Sequence, residues 1–146
     1  MSNFWNQRYG MREYAYGEEP NAFFREQIDR LKPGKLLLPG EGEGRNAVYA
    51  ARKGWDVTAF DLSDTGKEKA LQLAKKFNVL IDYLVIDFEH IEFPDNTFDC
   101  IAFVFNQYPE PSRKKFHEKT VRFMKPGGQL IIESFSKDQL LKRTGG

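Results

Sequence analysis

Short apolar segments alternate with amphipathic helical segments along most of this chain. The apolar segments predict strands at residues 35–38, 55–60, 81–86, 98–105 and 129–135. Helices are predicted at residues 46–53, 63–77 and 111–123, and a further helix capped by Asn21 precedes the first strand. Strands that alternate with helices form parallel sheets with right-handed crossovers, and strands as apolar as Ile101–Phe105 are covered on both faces. The sequence therefore predicts an α/β fold with a doubly wound, mainly parallel sheet of five strands and helices on both faces.

Length and charge narrow the classes of function. The 146 residues fit one domain, residues 1–146. The net charge of +1 argues against a nucleic-acid partner and against a polybasic membrane anchor. The longest apolar runs have about five residues, whereas a membrane span needs about 20, so we expect no membrane partner. The single cysteine, Cys100, and a start without an apolar leader predict a cytoplasmic protein.

A glycine-rich loop follows the first predicted strand, and its sequence is Gly40-Glu41-Gly42-Glu43-Gly44. Ligands of doubly wound sheets bind at the carboxyl ends of the strands. Glycines there let the backbone turn tightly and approach a ligand without a Cβ clash. The loop is therefore a candidate ligand loop, and the alternative is a tight connection between a strand and a helix.

An acidic residue, Asp61, follows the second predicted strand. A carboxylate at this place can accept hydrogen bonds from both hydroxyls of a ribose. The alternative is a turn or helix-cap role, which Ser63 could fill instead. Together with the glycine loop, Asp61 predicts a site for an adenosine-type nucleoside across the first two strands.

The glycine spacing separates two classes of cofactor. A dinucleotide fingerprint has a third glycine at its sixth position, but the sixth residue counted from Gly40 is Arg45. Two acids, Glu41 and Glu43, also stand where a pyrophosphate would bind, and like charges repel. A cofactor with a positive centre and no phosphate suits this loop better.

A third acidic position, Asp87, follows the third predicted strand and precedes Phe88. A carboxylate there can accept a hydrogen bond from the exocyclic amine of adenine, and the next backbone N–H can face a ring nitrogen. The alternative is a plain turn at the end of a strand.

Five short motifs occur in a fixed order, and the set spans nearly the whole chain. They are Leu36–Asn46 (LLLPGEGEGRN), Phe60–Ser63 (FDLS), Ile86–Phe88 (IDF), Phe98–Ile101 (FDCI) and Met124–Gly128 (MKPGG). This set resembles class I S-adenosylmethionine-dependent methyltransferases, which have a Rossmann-like fold. The resemblance implies an enzyme that binds S-adenosylmethionine in a core over residues 35–135, transfers its methyl group in line to an acceptor, and releases S-adenosylhomocysteine.

The same resemblance implies which residues hold the methionine part of the cofactor. Gly40, Gly42 and Asn46 would line it, and Phe105 would lie near the sulfonium. The acid that the family usually has is absent at Leu38, and we expect Glu41 to compensate by meeting the amino group, directly or through water.

On the adenosine part, the resemblance implies four residues. Asp61 would hold the ribose, with Leu62 against the adenine ring. Asp87 and Phe88 would hold the adenine edge.

The opening segment from Trp5 to Asn21 looks like the small-molecule branch of the family, the tellurite-resistance and thiopurine type. That likeness implies a small-molecule substrate. It also implies that residues 1–20 form an aromatic lid, with Trp5, Tyr9 and Tyr16 against the cofactor.

This chain departs from the family pattern in its loop and in its predicted sheet. The family usually has an acid where Leu38 stands and a small residue where Glu41 stands. The family sheet also continues with two further strands, one antiparallel, whereas this sequence stops at Gly146 soon after strand five. We therefore expect strand five to present an open apolar edge, with Leu130–Ile132 and Phe135 on it, and to form a homodimer through that edge or else to be poorly soluble. The alternative is that the tail of residues 136–146 covers the edge with Leu140 and Leu141.

Two other functions stay open at this point. One is a truncated domain that binds S-adenosylmethionine or S-adenosylhomocysteine without turnover, and the other is a nucleotide-binding oxidoreductase domain. The two histidines, His90 and His117, have no Cys or His partner at metal-ligand spacing, so we expect no metal site.

Overall fold

The structure, a computed structural model, describes residues 18–104, 112–133 and 138–142. The helices are α1 (Ala22–Arg30), α2 (Arg45–Arg52), α3 (Asp64–Lys76) and α4 (Ser112–Phe123). The strands are β1 (Lys35–Pro39), β2 (Asp56–Asp61), β3 (Asp82–Val85), β4 (Phe98–Val104), β5 (Met124–Glu133) and β6 (Asp138–Lys142). Each predicted strand and helix overlaps one of these elements, so the predicted alternation is confirmed.

One sheet contains all six strands, in the order β3-β2-β1-β4-β5-β6. Strands β1 to β5 run parallel to one another, which confirms the predicted α/β, doubly wound class. The order reverses at β1, which lies between β2 and β4. Ligand sites of such sheets lie at this switch point, beyond the carboxyl ends of the strands.

The sixth strand corrects the prediction of an open edge on strand five. Strand β6 runs antiparallel to β5, and its five residues pair with Gln129–Glu133. The edge that was expected to be bare is therefore covered along Leu130–Ile132, and the predicted homodimer through it loses its physical basis. The prediction was wrong because five residues and a short connection are enough to add an antiparallel strand.

Strand β5 also begins earlier than predicted. The Pro126-Gly127-Gly128 segment was expected to be a turn before the strand, but β5 starts at Met124. The pairing with β4 is irregular there, since the register jumps from Phe98 opposite Met124 to Cys100 opposite Gln129. The glycines are thus a bulge inside the strand, with Gly127 at φ 81°.

The strands bury side chains on both faces of the sheet, as their sequences predict. In β1, Leu36 and Leu38 pack with α1 and α2 on one face, whereas Leu37 packs with Phe103 on the other. This alternation is the two-residue period of a strand. Among the described residues, no helix has the length and apolar character to cross a membrane.

Candidate functional site

Three loops meet at one edge of the sheet. They follow the carboxyl ends of β1, β2 and β3, and they contain the Gly40–Gly44 loop, Asp61 and Asp87, respectively. The topology therefore brings the three predicted nucleoside-binding segments to one edge, as the sequence analysis expected.

The glycine loop has a left-handed backbone at every glycine. Gly40, Gly42 and Gly44 have φ values of 63°, 66° and 89°, a region that other residues rarely adopt. A Cβ on Gly44 would lie 2.4 Å from the Cβ of Ala70, so this glycine lets the loop pack closely on α3. Gly44 therefore has a packing role, and Gly40 and Gly42 are the glycines that remain as candidates for close approach to a ligand.

Asp61 holds the glycine loop in place. Its Oδ2 accepts a hydrogen bond from Gly42 N at 2.8 Å, and its Oδ1 accepts one from Leu62 N at 2.6 Å. From the other side, the Tyr83 hydroxyl donates to Gly42 O at 2.5 Å. Burial raises the pKa of Asp61, and the hydrogen bonds from Gly42, Leu62 and Ser63 oppose that rise. The backbone of Gly42 is thus fixed through both its N–H and its carbonyl.

The two acids of the loop have different partners. Glu41 Oε2 accepts a hydrogen bond from Ala47 N at 2.6 Å, at the N-terminus of α2. Glu43 is buried and pairs with Lys69 Nζ of α3 at 3.2 Å. The expectation that both acids stand where a pyrophosphate would bind is therefore wrong for Glu43, which pairs with α3. Only Glu41 occupies the end of a helix, where an anion is favoured.

Burial raises the pKa of Glu41 to about 8. The negative charge of Asp61 adds to the rise, while the backbone N–H groups of Ala47 and Asn46 and the charge of Arg45 oppose it. At neutral pH this carboxyl group is therefore largely protonated in the absence of a nearby cation.

A buried polar chain joins α2 to the end of β5. It links Asn21 and Asn46 to Glu133, a residue that the sequence did not single out. Asn46 Oδ1 accepts a hydrogen bond from Asn21 N at 2.8 Å, and Asn21 Nδ2 donates to Glu133 Oε1 at 2.7 Å. All three residues are buried, and Glu133 is only 8% exposed. The signal that could have found Glu133 is an acid at the end of an otherwise apolar strand.

The adenine side of the edge is more open. Asp87 Oδ1 accepts hydrogen bonds from both the backbone N–H and the ring nitrogen Nδ1 of His90, at 2.9 Å and 2.6 Å. The imidazole hydrogen bond lowers the pKa of Asp87. Next to Asp61, the apolar side chains of Leu62 and Val85 are 39% and 40% exposed. These exposed apolar groups form a surface on which a flat ring can lie.

Phe88 packs downward into the core. Its ring lies 3.6 Å from the Phe116 ring and 5.1 Å from the Phe60 ring, between centroids. A role in holding adenine would therefore fall to the backbone of Phe88.

Four residues predicted to contact the cofactor lie outside the described residues. They are the lid residues Trp5, Tyr9 and Tyr16, and Phe105 after β4. Gly40, Glu41, Gly42, Asn46, Asp61 and Leu62 are brought together around the β1 and β2 ends, and Asp87 and Phe88 follow β3.

Comparison with known proteins gives a family match. A family described as a methyltransferase domain matches residues 37–132. That stretch holds the last three residues of β1, all of β2 to β4 and most of β5, together with all three loops of the site.

Curated relatives with sequence similarity carry the name ubiquinone/menaquinone biosynthesis C-methyltransferase UbiE. The protein from Enterobacter sp. (strain 638) is 35% identical over 85 residues, which are 56% of this chain and 33% of the relative. The protein from Teredinibacter turnerae is 31% identical over 124 residues, which are 80% of this chain and 49% of the relative. This chain thus spans between a third and a half of these relatives.

A solved structure with the same fold comes from echinomycin biosynthesis. That structure concerns the conversion of a disulfide bond into a thioacetal group during echinomycin biosynthesis. The TM-score is 0.74 at 21% sequence identity, over 90% of this chain and 59% of that chain. At this identity the likeness concerns the fold, and it agrees with the Rossmann-like architecture expected from the motifs.

Proposed function

The chain belongs to the methyltransferase domain family, and we propose that it is an S-adenosylmethionine-dependent methyltransferase acting on a small molecule. The names of its relatives support methyl transfer, and the loop geometry supports the cofactor. The tellurite-resistance and thiopurine branch stays a prediction from the first 21 residues.

One observation carries the choice of cofactor: a carboxyl group of the protein fills the N-terminus of α2. Glu41 accepts the hydrogen bond from Ala47 N that a cofactor phosphate takes in dinucleotide-binding folds. A diphosphate would have to displace this side chain. A phosphate-free nucleoside with a cationic amino group suits the position instead, because a cation beside Glu41 favours its charged form.

Asp61 fits the ribose. A carboxylate has about four lone-pair sites on its two oxygens. In Asp61, the backbone N–H groups of Gly42, Leu62 and Ser63 occupy three of these sites. The side chain is half-buried, so a ligand can reach it. We propose that the remaining acceptor site of Asp61 takes a hydrogen bond from one ribose hydroxyl while Leu62 lies against the adenine.

The amino-acid end of the cofactor would lie over the glycine loop. Gly40 and Gly42 allow close approach, Glu41 would take the amino group, and Asn46 would face the carboxylate. Glu41 would thus supply the acid that is absent at Leu38. Asp87 and the backbone of Phe88 would hold the adenine edge.

When bound, S-adenosylmethionine supplies an activated methyl group on a sulfonium. The contribution of the described residues is to position the nucleoside and the amino-acid end. Charge-assisted hydrogen bonds that Asp61 and Glu41 accept would fix both ends, and such fixed geometry is the main source of acceleration expected for an in-line transfer.

A calorimetric titration of the full chain with S-adenosylhomocysteine, and separately with NAD, tests this proposal. We expect saturable binding of S-adenosylhomocysteine in the micromolar range and no measurable heat with NAD at the same concentrations. Tighter binding of NAD would overturn the proposal in favour of an oxidoreductase domain.

A further inference from the structure

The family resemblance places Asn46 at the methionine part of the cofactor, but it gives no role to Asn21 and Glu133, which join Asn46 in a buried chain. The buried chain connects three elements that are far apart in sequence: α2, the cap of α1 and the end of β5. Its hydrogen bonds fix the orientation of two side-chain amides, those of Asn21 and Asn46.

Asn21 has a fixed amide orientation. Its Oδ1 caps α1 by accepting a hydrogen bond from Phe24 N at 2.9 Å, so the amide nitrogen must point the other way. That nitrogen donates to Glu133 Oε1 at 2.7 Å. Glu133 therefore fixes the carboxamide of Asn21, and the oxygen of that carboxamide caps the N-terminus of α1.

Asn46 has a fixed orientation for the same reason. Its Oδ1 accepts from Asn21 N at 2.8 Å, and a backbone N–H can only be paired with the oxygen of the amide. The two N–H groups of Asn46 Nδ2 must then point away from Asn21. No described residue accepts a hydrogen bond from Asn46 Nδ2.

A carboxylate is an unfavourable residue to bury unless its charge has a use or a partner. Glu133 is 8% exposed at the carboxyl end of β5, opposite Val104 at the end of β4. Its position at the ligand edge of the sheet points to a role in the site.

We propose that Glu133 is a positioning residue for the amino-acid end of the cofactor, and that it acts through Asn21 to fix the amide of Asn46 as a donor to the cofactor carboxylate. This inference rests on the proposed function, since it assigns a role within the same cofactor site. Glu133 itself does not touch the cofactor.

Two probes separate this role from a merely structural one. S-adenosylhomocysteine carries the amino-acid end, and 5′-methylthioadenosine has the same nucleoside and thioether without it. The dissociation constants of both are measured on the full chain by calorimetry, for the wild type and for Glu133→Leu and Glu133→Gln.

We expect Glu133→Leu to weaken S-adenosylhomocysteine binding by about tenfold while 5′-methylthioadenosine changes by about twofold at most. Gln can still accept from Asn21 Nδ2, so Glu133→Gln should recover binding to within about threefold of the wild type. The matched control is Asp99→Leu. Asp99 accepts from Lys35 N at 2.8 Å at the opposite edge of the sheet, so its loss should leave the ratio of the two constants unchanged.

An equal loss of both ligands in Glu133→Leu, or no loss of either, would overturn the inference while leaving the proposed cofactor in place. Failure of the wild type to bind either probe would instead contradict the proposed function. If Glu133→Leu does not fold, Asn21→Ser replaces it, because Ser keeps an oxygen cap for Phe24 N and loses the donor to Glu133. The same selective loss is expected.

Discussion

The β1–β2 end and the β3 end of the site edge are built in different ways. At the β1–β2 end, the polar groups of Gly42, Glu41 and Asp61 are bound to one another or to the start of α2 before any ligand arrives. At the β3 end, the Asp87 side chain is 40% exposed, and that of its partner His90 is 71% exposed. The first region is thus set in position mainly by part-buried hydrogen bonds to backbone N–H groups, whereas the second is held by a surface pair.

This difference has an energetic consequence. Buried hydrogen bonds to charged groups are stronger and are costly to lose, whereas exposed ion pairs contribute little. The ribose and the amino-acid end should therefore provide most of the cofactor affinity, and the adenine edge should adjust it. Four experiments test that division.

The pH dependence of stability should show the largest effect, and it comes from Glu41. Its pKa of about 8 in the folded chain is above the usual value of 4.5, so the folded state holds the proton that the unfolded state loses between these pH values. Raising the pH from 5 to 8 should therefore lower the free energy of unfolding, by about 3 kcal/mol at most.

Urea unfolding at several pH values measures this slope, and the Glu41→Gln variant should lack it. Asp87 should add nothing in this window, because its lowered pKa keeps it ionised in both states. An equal slope in the wild type and in Glu41→Gln would show that Glu41 is not protonated in the folded chain.

Close packing of the loop on α3 is tested by Gly44→Ala. The new Cβ would meet Ala70 at 2.4 Å in a backbone with φ 89°, so both strain and overpacking should destabilise the fold, by about 2–3 kcal/mol in denaturant unfolding. The matched control is Gly127→Ala, since Gly127 also has a positive φ of 81° but no atom within 4 Å of its added Cβ. The control should cost about 1 kcal/mol. Equal costs would mean that packing on α3 does not fix the loop.

The ribose contact is tested by Asp61→Ala. Loss of the carboxylate removes the acceptor for the ribose and frees Gly42 N, so S-adenosylhomocysteine binding should weaken by about tenfold or more. Calorimetry on Asp56→Ala is the control, because Asp56 is exposed at the other end of the same strand and should bind normally. Unchanged affinity in Asp61→Ala would remove Asp61 from the site.

The smallest effect is expected at the β3 end. Asp87→Ala should weaken S-adenosylhomocysteine binding by about threefold or less, because an exposed carboxylate gains little from one more hydrogen bond. The same calorimetric measurement decides it. A loss of affinity as large as that in Asp61→Ala would contradict the proposed difference in binding contribution between the β3 end and the β1–β2 end.

Much of the fold could be predicted from the sequence because its signals are local. Strands β1, β2 and β3 end at Pro39, Asp61 and Val85, close to the predicted ends, and Asn21 caps α1 as its sequence suggests. The sixth strand was missed because a short apolar segment does not reveal a distant pairing partner. The pairing of β6 with β5 depends on the position of β5 in the sheet, which the tertiary structure determines.

The candidate site was predictable only where one residue follows one strand. That rule found Asp61 and the glycine loop, but it could not separate Glu41 from Glu43, because their partners are Ala47 N and Lys69. The role of Glu133 depends on Asn21, which is 112 residues away in sequence. Such contacts arise from the fold and leave no spacing pattern.

The most direct test of this account is a crystal structure of the full chain with S-adenosylhomocysteine bound. The account predicts a ribose hydroxyl within hydrogen-bond distance of Asp61 and the amino-acid end over the glycine loop, near Glu41 and Asn46. A nucleoside bound away from the carboxyl ends of β1 and β2, with Asp61 contacting only the protein backbone, would contradict it.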